Sequence, residues 1–346
     1  MRPWKYVYTL GALAILLVAL TGCGGGSSDG SSDLSSDGNG TLTLGIVDGP
    51  VEGASQVVVA FTGIELKPDN GPPMDPIPMD ESACDDFDSA TGTCSINLLD
   101  LVGTSRRVVF SAALPAGHYQ WVRLLVNAER NTMDSYLMTL DGRMCSLYIP
   151  SGSETGLKIV SGITVTANGV SDYTLDFDVR KSITNPPGLS DPDQQCADNY
   201  VLKPAIRIVD STEVGAVAGT VDESVLAADQ SCRLDEMGRY ENVAVYVYDD
   251  AAGTAVADDL DGDDGDPLTS ASVVWNDGEQ AYTYEVGFLL APNTYHLGLT
   301  CTADLDDAAI DDYDPAMPDA HDFRFVAEQS LDVAVDTTAD GSFGGT

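Results

Sequence analysis

Basic side chains are scarce in this chain of 346 residues: 16 Lys and Arg stand against 55 Asp and Glu, a net charge of −39. Phosphate recognition needs clustered Lys and Arg, so the shortage argues against a nucleic-acid partner. It argues equally against electrostatic attachment to anionic lipid. Histidine is rarer still. His118, His296 and His321 are scattered, leave little room for His-based catalysis or a His-rich metal site, and read as structural. The G-x-S-x-G elbow, H-E-x-x-H, the P-loop and G-x-G-x-x-G are all missing. Carboxylates are so abundant that a glycosidase-type pair cannot be singled out by spacing. No apolar run reaches the length of about 18 residues that suggests a membrane-spanning helix. The expectation is a protein that is not an enzyme.

What the sequence does have begins at residue 1. Arg2 and Lys5 precede Leu10 to Leu20, an apolar core of 11 residues. That core is too short to span a bilayer and has the length of a signal-peptide core. It ends in Leu20-Thr21-Gly22-Cys23, which resembles the lipobox of bacterial lipoproteins. The resemblance implies a signal peptide over 1–22, diacylglycerol on the Cys23 thiol and acylation of the new amino terminus. Several acyl chains, at about 0.8 kcal/mol per buried CH₂, would hold the protein on a membrane. In the sorting rule of those lipoproteins, Asp after the Cys retains the protein in the inner membrane. Gly24 stands there instead, which points to the outer membrane of a Gram-negative cell. Residues 23–39 are rich in Gly and Ser, with Asp29, Asp33 and Asp37, and read as a flexible tether.

Seven cysteines less Cys23 leave six, an even number in an exported protein. Cys84 and Cys94 bracket a polar loop. Cys145 and Cys196 fall in the first half of the chain, Cys232 and Cys301 in the second. Pairing each of these couples is the simplest of the connectivities that six cysteines allow. No CxxC or paired-His spacing supports zinc.

From residue 40 the dominant period is two. Leu42, Leu44 and Ile46 alternate with small or polar residues, as do Tyr136, Met138 and Leu140, Cys145, Leu147 and Ile149, and Tyr173, Leu175, Phe177 and Val179. Turn signals such as Asp48-Gly49-Pro50 separate them. A second series restarts after Val214-Gly215, and its longest alternating face is Tyr282, Tyr284, Val286, Phe288 and Leu290. The pattern predicts an all-β chain of two antiparallel β-sandwich domains, 40–214 and 215–346, with Greek-key, prealbumin- or immunoglobulin-like connections. A short echo links them. Leu114-Pro115-Ala116-Gly117-His118-Tyr119 enters a strand much as Leu290-Ala291-Pro292-Asn293-Thr294-Tyr295 does.

Residues 40–214 resemble a domain-of-unknown-function family of bacterial lipoproteins. The carrying segments include Phe61 to Leu66 (FTGIEL), Leu114 to Leu124 (LPAGHYQWVRL), Phe177 to Ile183 (FDVRKSI) and Leu202 to Asp210 (LKPAIRIVD). That resemblance implies no activity. Residues 215–335 resemble the carboxypeptidase-regulatory-like, prealbumin-type sandwiches through GAVAGTV, VAVYVYDD and YTYEVGFLLAPNTYHLGL, which implies a carbohydrate-binding-like fold in an accessory role.

Charge is divided unevenly: residues 215–346 hold 29 acidic against 3 basic side chains, residues 41–214 hold 23 against 11. A solvated acidic surface accounts for the excess. One run is denser, with Asp258, Asp259, Asp261, Asp263, Asp264 and Asp266 around Gly262 and Gly265. Asp259, Asp261 and Asp263 follow the alternate-ligand pattern of a Ca²⁺ loop, with Asp266 as a further oxygen donor. Gly265 comes one position late and Ser270 stands where an EF-hand has its Glu, so a looser calcium site and a plain acidic loop both fit. No other cofactor is implied. The bases of the first half, among them Arg106, Arg123, Lys158, Arg180, Lys181 and Arg207, suit either salt bridges or a site for an acidic ligand. Lys158 follows the polar loop Ser151 to Thr155. Tyr246 and Tyr248, Trp121 and Trp275 read either as core or as sugar-stacking platforms. These features together point to a lipid-anchored envelope protein that binds or scaffolds, with a glycan or another envelope protein as partner; a carboxylate-based hydrolase is the third reading.

Overall fold

The computed structural model describes residues 38–49, 53–149, 156–184, 196, 200–203, 205–249, 265–306 and 323–344. Cys23 and the Asp258–Asp264 stretch lie outside them. The described chain is a succession of strands whose alternate side chains face two separate cores. Leu42, Leu44 and Ile46 are wholly buried, as are Leu175 and Phe177. Each such side chain contributes roughly 1.5–3 kcal/mol by leaving water.

The first sandwich packs two sheets. One has the order β14-β11-β1-β5, from β1 (Asn39–Gly49), β5 (Arg107–Pro115), β11 (Val170–Asp178) and β14 (Ile206–Asp210). The other is centred on the long β2 (Ala54–Pro68), which pairs with β6 (Gly117–Asn127), β4 (Thr93–Asn97) and β7 (Tyr136–Thr139). β3 (Asp86–Asp88) lies on β4, while β9 (Leu157–Ile159) and β10 (Ile163–Val165) lie on β6. β8 (Met144–Tyr148), β12 (Ile183–Thr184) and β13 (Tyr200–Leu202) extend the sheet beyond β7. A single core runs between the two sheets, with Phe61 and Phe177 meeting edge to face at 6.3 Å.

The second sandwich has sheet orders β18-β19-β15-β22 and β17-β16-β20-β21. Its strands are β15 (Val214–Val221), β16 (Ala244–Asp249), β17 (Thr269–Ser272), β18 (Val274–Asn276), β19 (Ala281–Leu290), β20 (Asn293–Thr300), β21 (Phe325–Val333) and β22 (Thr338–Asp340). Val217, Val245, Val247, Tyr284, Leu297 and Leu299 fill the core between them. No described strand of residues 39–210 shares a sheet with one of residues 214–340, yet Ser36–Thr346 forms one compact unit.

Three disulfides close within the sandwiches: Cys84–Cys94, Cys145–Cys196 and Cys232–Cys301, with Cα separations of 5.2, 4.6 and 4.8 Å. The Leu114–Tyr119 and Leu290–Tyr295 segments also behave alike. Tyr119 donates its hydroxyl to the Pro115 carbonyl at 2.8 Å, and Tyr295 donates to the Leu290 carbonyl at 2.7 Å. Both are the tyrosine corners that hold the entry to a sandwich strand.

Three details depart from the sequence reading. The sheets are mixed rather than purely antiparallel, because β1 pairs β11, β8 pairs β13 and β15 pairs β22 in parallel. Long intervening stretches make such pairings reachable. In β7 the inward residue is Leu137, while Tyr136 and Met138 are half-buried and Leu140, just past the strand, is 75% exposed. In β19 the alternation breaks after Val286, since a bulge opposite Gly215–Val217 turns Leu289 inward and leaves Leu290 exposed. Phe288 takes a positive φ of 54° at that bulge.

Candidate functional site

Of the four carboxylates read as calcium ligands, Asp259, Asp261 and Asp263 lie outside the described residues. Asp266 is described, is nearly buried and makes an ion pair with Lys181. Among the described residues no group of three His, Cys, Asp or Glu is arranged to hold a metal ion. The bases of the first half are largely engaged in pairs: Arg106 with Asp172, Arg107 with Asp85, Arg123 with Glu65 and Arg207 with Asp176. Lys158 and Arg123 sit 4.9 and 4.6 Å from the Trp121 ring, so Trp121 is occupied by cations of its own chain. Tyr246 and Tyr248 are buried on the outer side of the β16 sheet, edge-on to Phe325 at 5.5 and 6.3 Å. They are packing residues and offer no sugar platform.

The strand register creates one arrangement that the scattered histidines concealed. β20 and β21 pair His296 with Ser330, and His296 Nδ1 lies 2.8 Å from Ser330 Oγ while Nε2 lies 3.1 Å from Glu328 Oε2. Ser, His and Glu thus meet as they do in nucleophilic hydrolases. Here they lie on a sheet face, and none of the three lines the clefts described below. The arrangement works as a cross-strand polar network.

A second arrangement lies where the two sandwiches meet. The end of β11 is buried on both faces: Leu175 and Phe177 enter the core, and Asp176 and Asp178 point the other way yet are only 6% and 5% exposed. Parallel pairing sets Asp48 of β1 opposite Phe177, between these two carboxylates. Arg180 follows in the short helix α1 (Val179–Ser182) and hydrogen-bonds Ser270 of β17, with its guanidinium 5.3 Å from the Tyr246 ring. Asp48 accepts from the Val179 amide at 3.2 Å and Asp178 accepts from the Lys181 amide at 3.0 Å. Burial first, then the charges of Asp178 and Asp176, hold the Asp48 carboxyl well above the ordinary carboxylate range. Burial also raises Asp176 and Asp178, against the pull of Arg207 and of the Lys181 amide respectively. This cluster ties strand ends of one sandwich to the other.

The third arrangement is open to solvent. On the outer face of β15, β18 and β19, a cleft of about 580 Å³ is lined by Thr220, Ser272, Asn276, Thr283, Glu285 and Ser342, with Val102, Ala218 and Val274 as its apolar parts. A second cleft of about 540 Å³ shares Thr220 and Ser342 with it and continues to Asp222, Trp275, Gln280 and Asp340. Neither cleft has a Lys or Arg in its lining. The polar groups are held in place: Ser342 donates its amide and hydroxyl to Asp340 at 3.0 and 2.7 Å, and Thr104 donates to Glu285 at 3.1 Å. The Ser342 hydrogen bonds lower the Asp340 pKa, and those of Ser224 lower that of Asp222. Trp275 is set by its Nε1 donating to Asp277 at 3.0 Å and by Tyr282, whose ring lies edge-on at 5.1 Å. The sequence marked Trp275 as a candidate platform but did not mark the hydroxyls, because the face brings together segments as far apart as Thr220 and Ser342, 122 residues along the chain.

Residues 39–204 match the family model described as Domain of unknown function (DUF4382); the match spans β1 to β13. No curated protein matches the chain. Among solved structures, the chain is similar to an adhesin candidate from Bacteroides ovatus, with 10% identity over 95% of this chain and 99% of that one and a TM-score of 0.17. It is also similar to the fimbrial anchor protein Mfa2 from Porphyromonas gingivalis (11% identity, 77% and 80% covered, TM-score 0.15) and the major pilin from Streptococcus pyogenes (11%, 88% and 99%, 0.14). At such TM-scores these likenesses carry no argument about what the chain does.

Proposed function

We propose that this protein is a non-catalytic module of the cell envelope, lipid-anchored at Cys23, that binds a neutral glycan in the double cleft beside Trp275. The observation that carries the reading is the lining of that cleft. Hydroxyl, amide and carboxylate groups alternate with small apolar surface and a half-buried indole, the mixture that recognises a polyhydroxylated ring. The carboxylates of the lining disfavour anionic sugars; Arg239, 5.8 Å from the Trp275 ring, is paired with Asp277. The second sandwich, taken as residues 215–346 and as a prealbumin-type domain, then presents the site. The first, residues 40–214, carries it on the 23–39 tether above the outer membrane. A glycan array probed with the exported chain tests the reading; selective capture of neutral oligosaccharides supports it, and capture of none opposes it.

A docking role has one observation of its own. Among the described residues β21 is a nine-residue edge strand, paired on one side by β20, and such an edge accepts a partner strand. Co-purification from detergent extract would reveal that partner. Calcium on Asp259, Asp261 and Asp263 is a separate proposal that rests on spacing alone. Greater thermal stabilisation by Ca²⁺ than by Mg²⁺, lost on replacing the three with Asn, supports it; equal effects mean charge screening.

A further inference from the structure

We propose that Lys181 and Asp266 form an intramolecular isopeptide bond, an amide between the Lys181 ε-nitrogen and the Asp266 carboxyl carbon that joins the two sandwiches covalently. Three observations carry it. Lys181 Nζ and Asp266 Oδ2 are in direct contact, with the Asp266 side chain only 9% exposed and that of Lys181 28%. The contact connects α1, which follows the last long strand of the first sandwich core, to the segment that enters β17 of the second. A second acid is held on the same turn: Asp178 accepts from the Lys181 backbone amide at 3.0 Å, is 5% exposed, and its Oδ2 has no hydrogen-bond partner among the described residues.

The bond forms by condensation. Partly withdrawn from water, an ammonium–carboxylate pair loses hydration that its mutual attraction must replace, and transfer of one proton from Lys181 to Asp266 relieves that cost. The neutral amine then attacks the Asp266 carboxyl carbon. A C–N bond forms, a C–O bond breaks, and one water leaves with the displaced oxygen and two hydrogens. Asp178 can pass a proton from the attacking nitrogen to the departing oxygen and regain it at the end. Burial raises its pKa, which favours it as a proton carrier. Nothing is oxidised or reduced and no co-reactant is consumed. The three disulfides close only within the sandwiches, so this amide would be a cross-link between them of a kind that reduction does not break.

The test is a tryptic map of the full chain, purified in detergent and fully reduced. The expected result is a branched peptide containing residues 181 and 266, lighter by one water than its two parts, with no cleavage after Lys181. Lys181→Arg preserves the charge and the ion pair but cannot form the stable amide, so the branched peptide should vanish from that folded variant. Asp178→Asn should lower its yield. Linear peptides with ordinary cleavage after Lys181 in the parent protein would overturn the proposal, and an undiminished yield in Asp178→Asn would overturn the role given to Asp178.

Discussion

Tyr119 and Pro115 are joined by a 2.8 Å hydrogen bond from the phenol to the carbonyl four residues upstream, and Tyr119 is only 2% exposed. The chain builds the same corner in the second sandwich with Tyr295 and Leu290. Removing one hydroxyl leaves the ring packed and deletes a single bond. Tyr119→Phe and Tyr295→Phe should therefore each cost about 0.5–1.5 kcal/mol in denaturant unfolding. The losses should add when combined, since the corners lie in different cores. No measurable change in either variant would remove the corners from the account of stability.

Asp48 gives a pH-dependent prediction. Its folded-state pKa lies well above the ordinary carboxylate range because of burial and the neighbouring carboxylates. The folded state therefore holds this proton more tightly than the unfolded chain does. Its favourable contribution is complete below the unfolded pKa and is lost as pH rises through the folded one. Asp48→Asn keeps an acceptor for the Val179 amide and removes the ionisation. The variant should melt higher than the parent near pH 8, and the difference should close towards pH 3. A constant offset across that range would show that the carboxyl does not titrate differently on folding.

Disulfide removal should be graded by loop length. Cys232 and Cys301 are 69 residues apart, Cys84 and Cys94 only 10. On the chain-entropy model each bridge stabilises by about 2–4 kcal/mol, more for the longer loop. The Cys232→Ser/Cys301→Ser pair should therefore destabilise more than Cys84→Ser/Cys94→Ser in the same unfolding assay. The reverse order would place the stabilisation in native packing instead.

The anchor is tested by localisation. With the thiol gone, Cys23→Ser should leave the detergent phase or accumulate with its leader uncleaved. Full membrane retention with normal processing would remove the lipoprotein reading.

The strands were legible where one face of a strand meets a core and the other meets water. Leu42, Leu44 and Ile46 announce β1 because period two is what a half-buried strand displays. Period two does not announce the burial of Asp176 and Asp178: they form the polar row of β11, yet Asp176 pairs with Arg207 of β14 and shares a small pocket with Thr269 and Ser270 of β17. Leu137 was missed for a related reason: Tyr136, Met138 and Leu140 form the more apolar alternate row, yet the pairing of β7 with β2 and β8 turns the other row inward. The cysteine pairs were legible because each couple lies within one sequence half. The cleft was not, since Thr220, Thr283 and Ser342 become neighbours through β15–β19 pairing and the return of the last strand.

The most direct test of the central claim is a tryptophan-fluorescence titration of the exported protein with neutral oligosaccharides, repeated on Trp275→Phe and Thr220→Val. The account predicts saturable binding of a neutral glycan, weaker binding of the matching uronic acid, loss of the fluorescence change in Trp275→Phe, and reduced affinity in Thr220→Val. Binding that is unaltered in both variants, or that favours the anionic sugar, would contradict it.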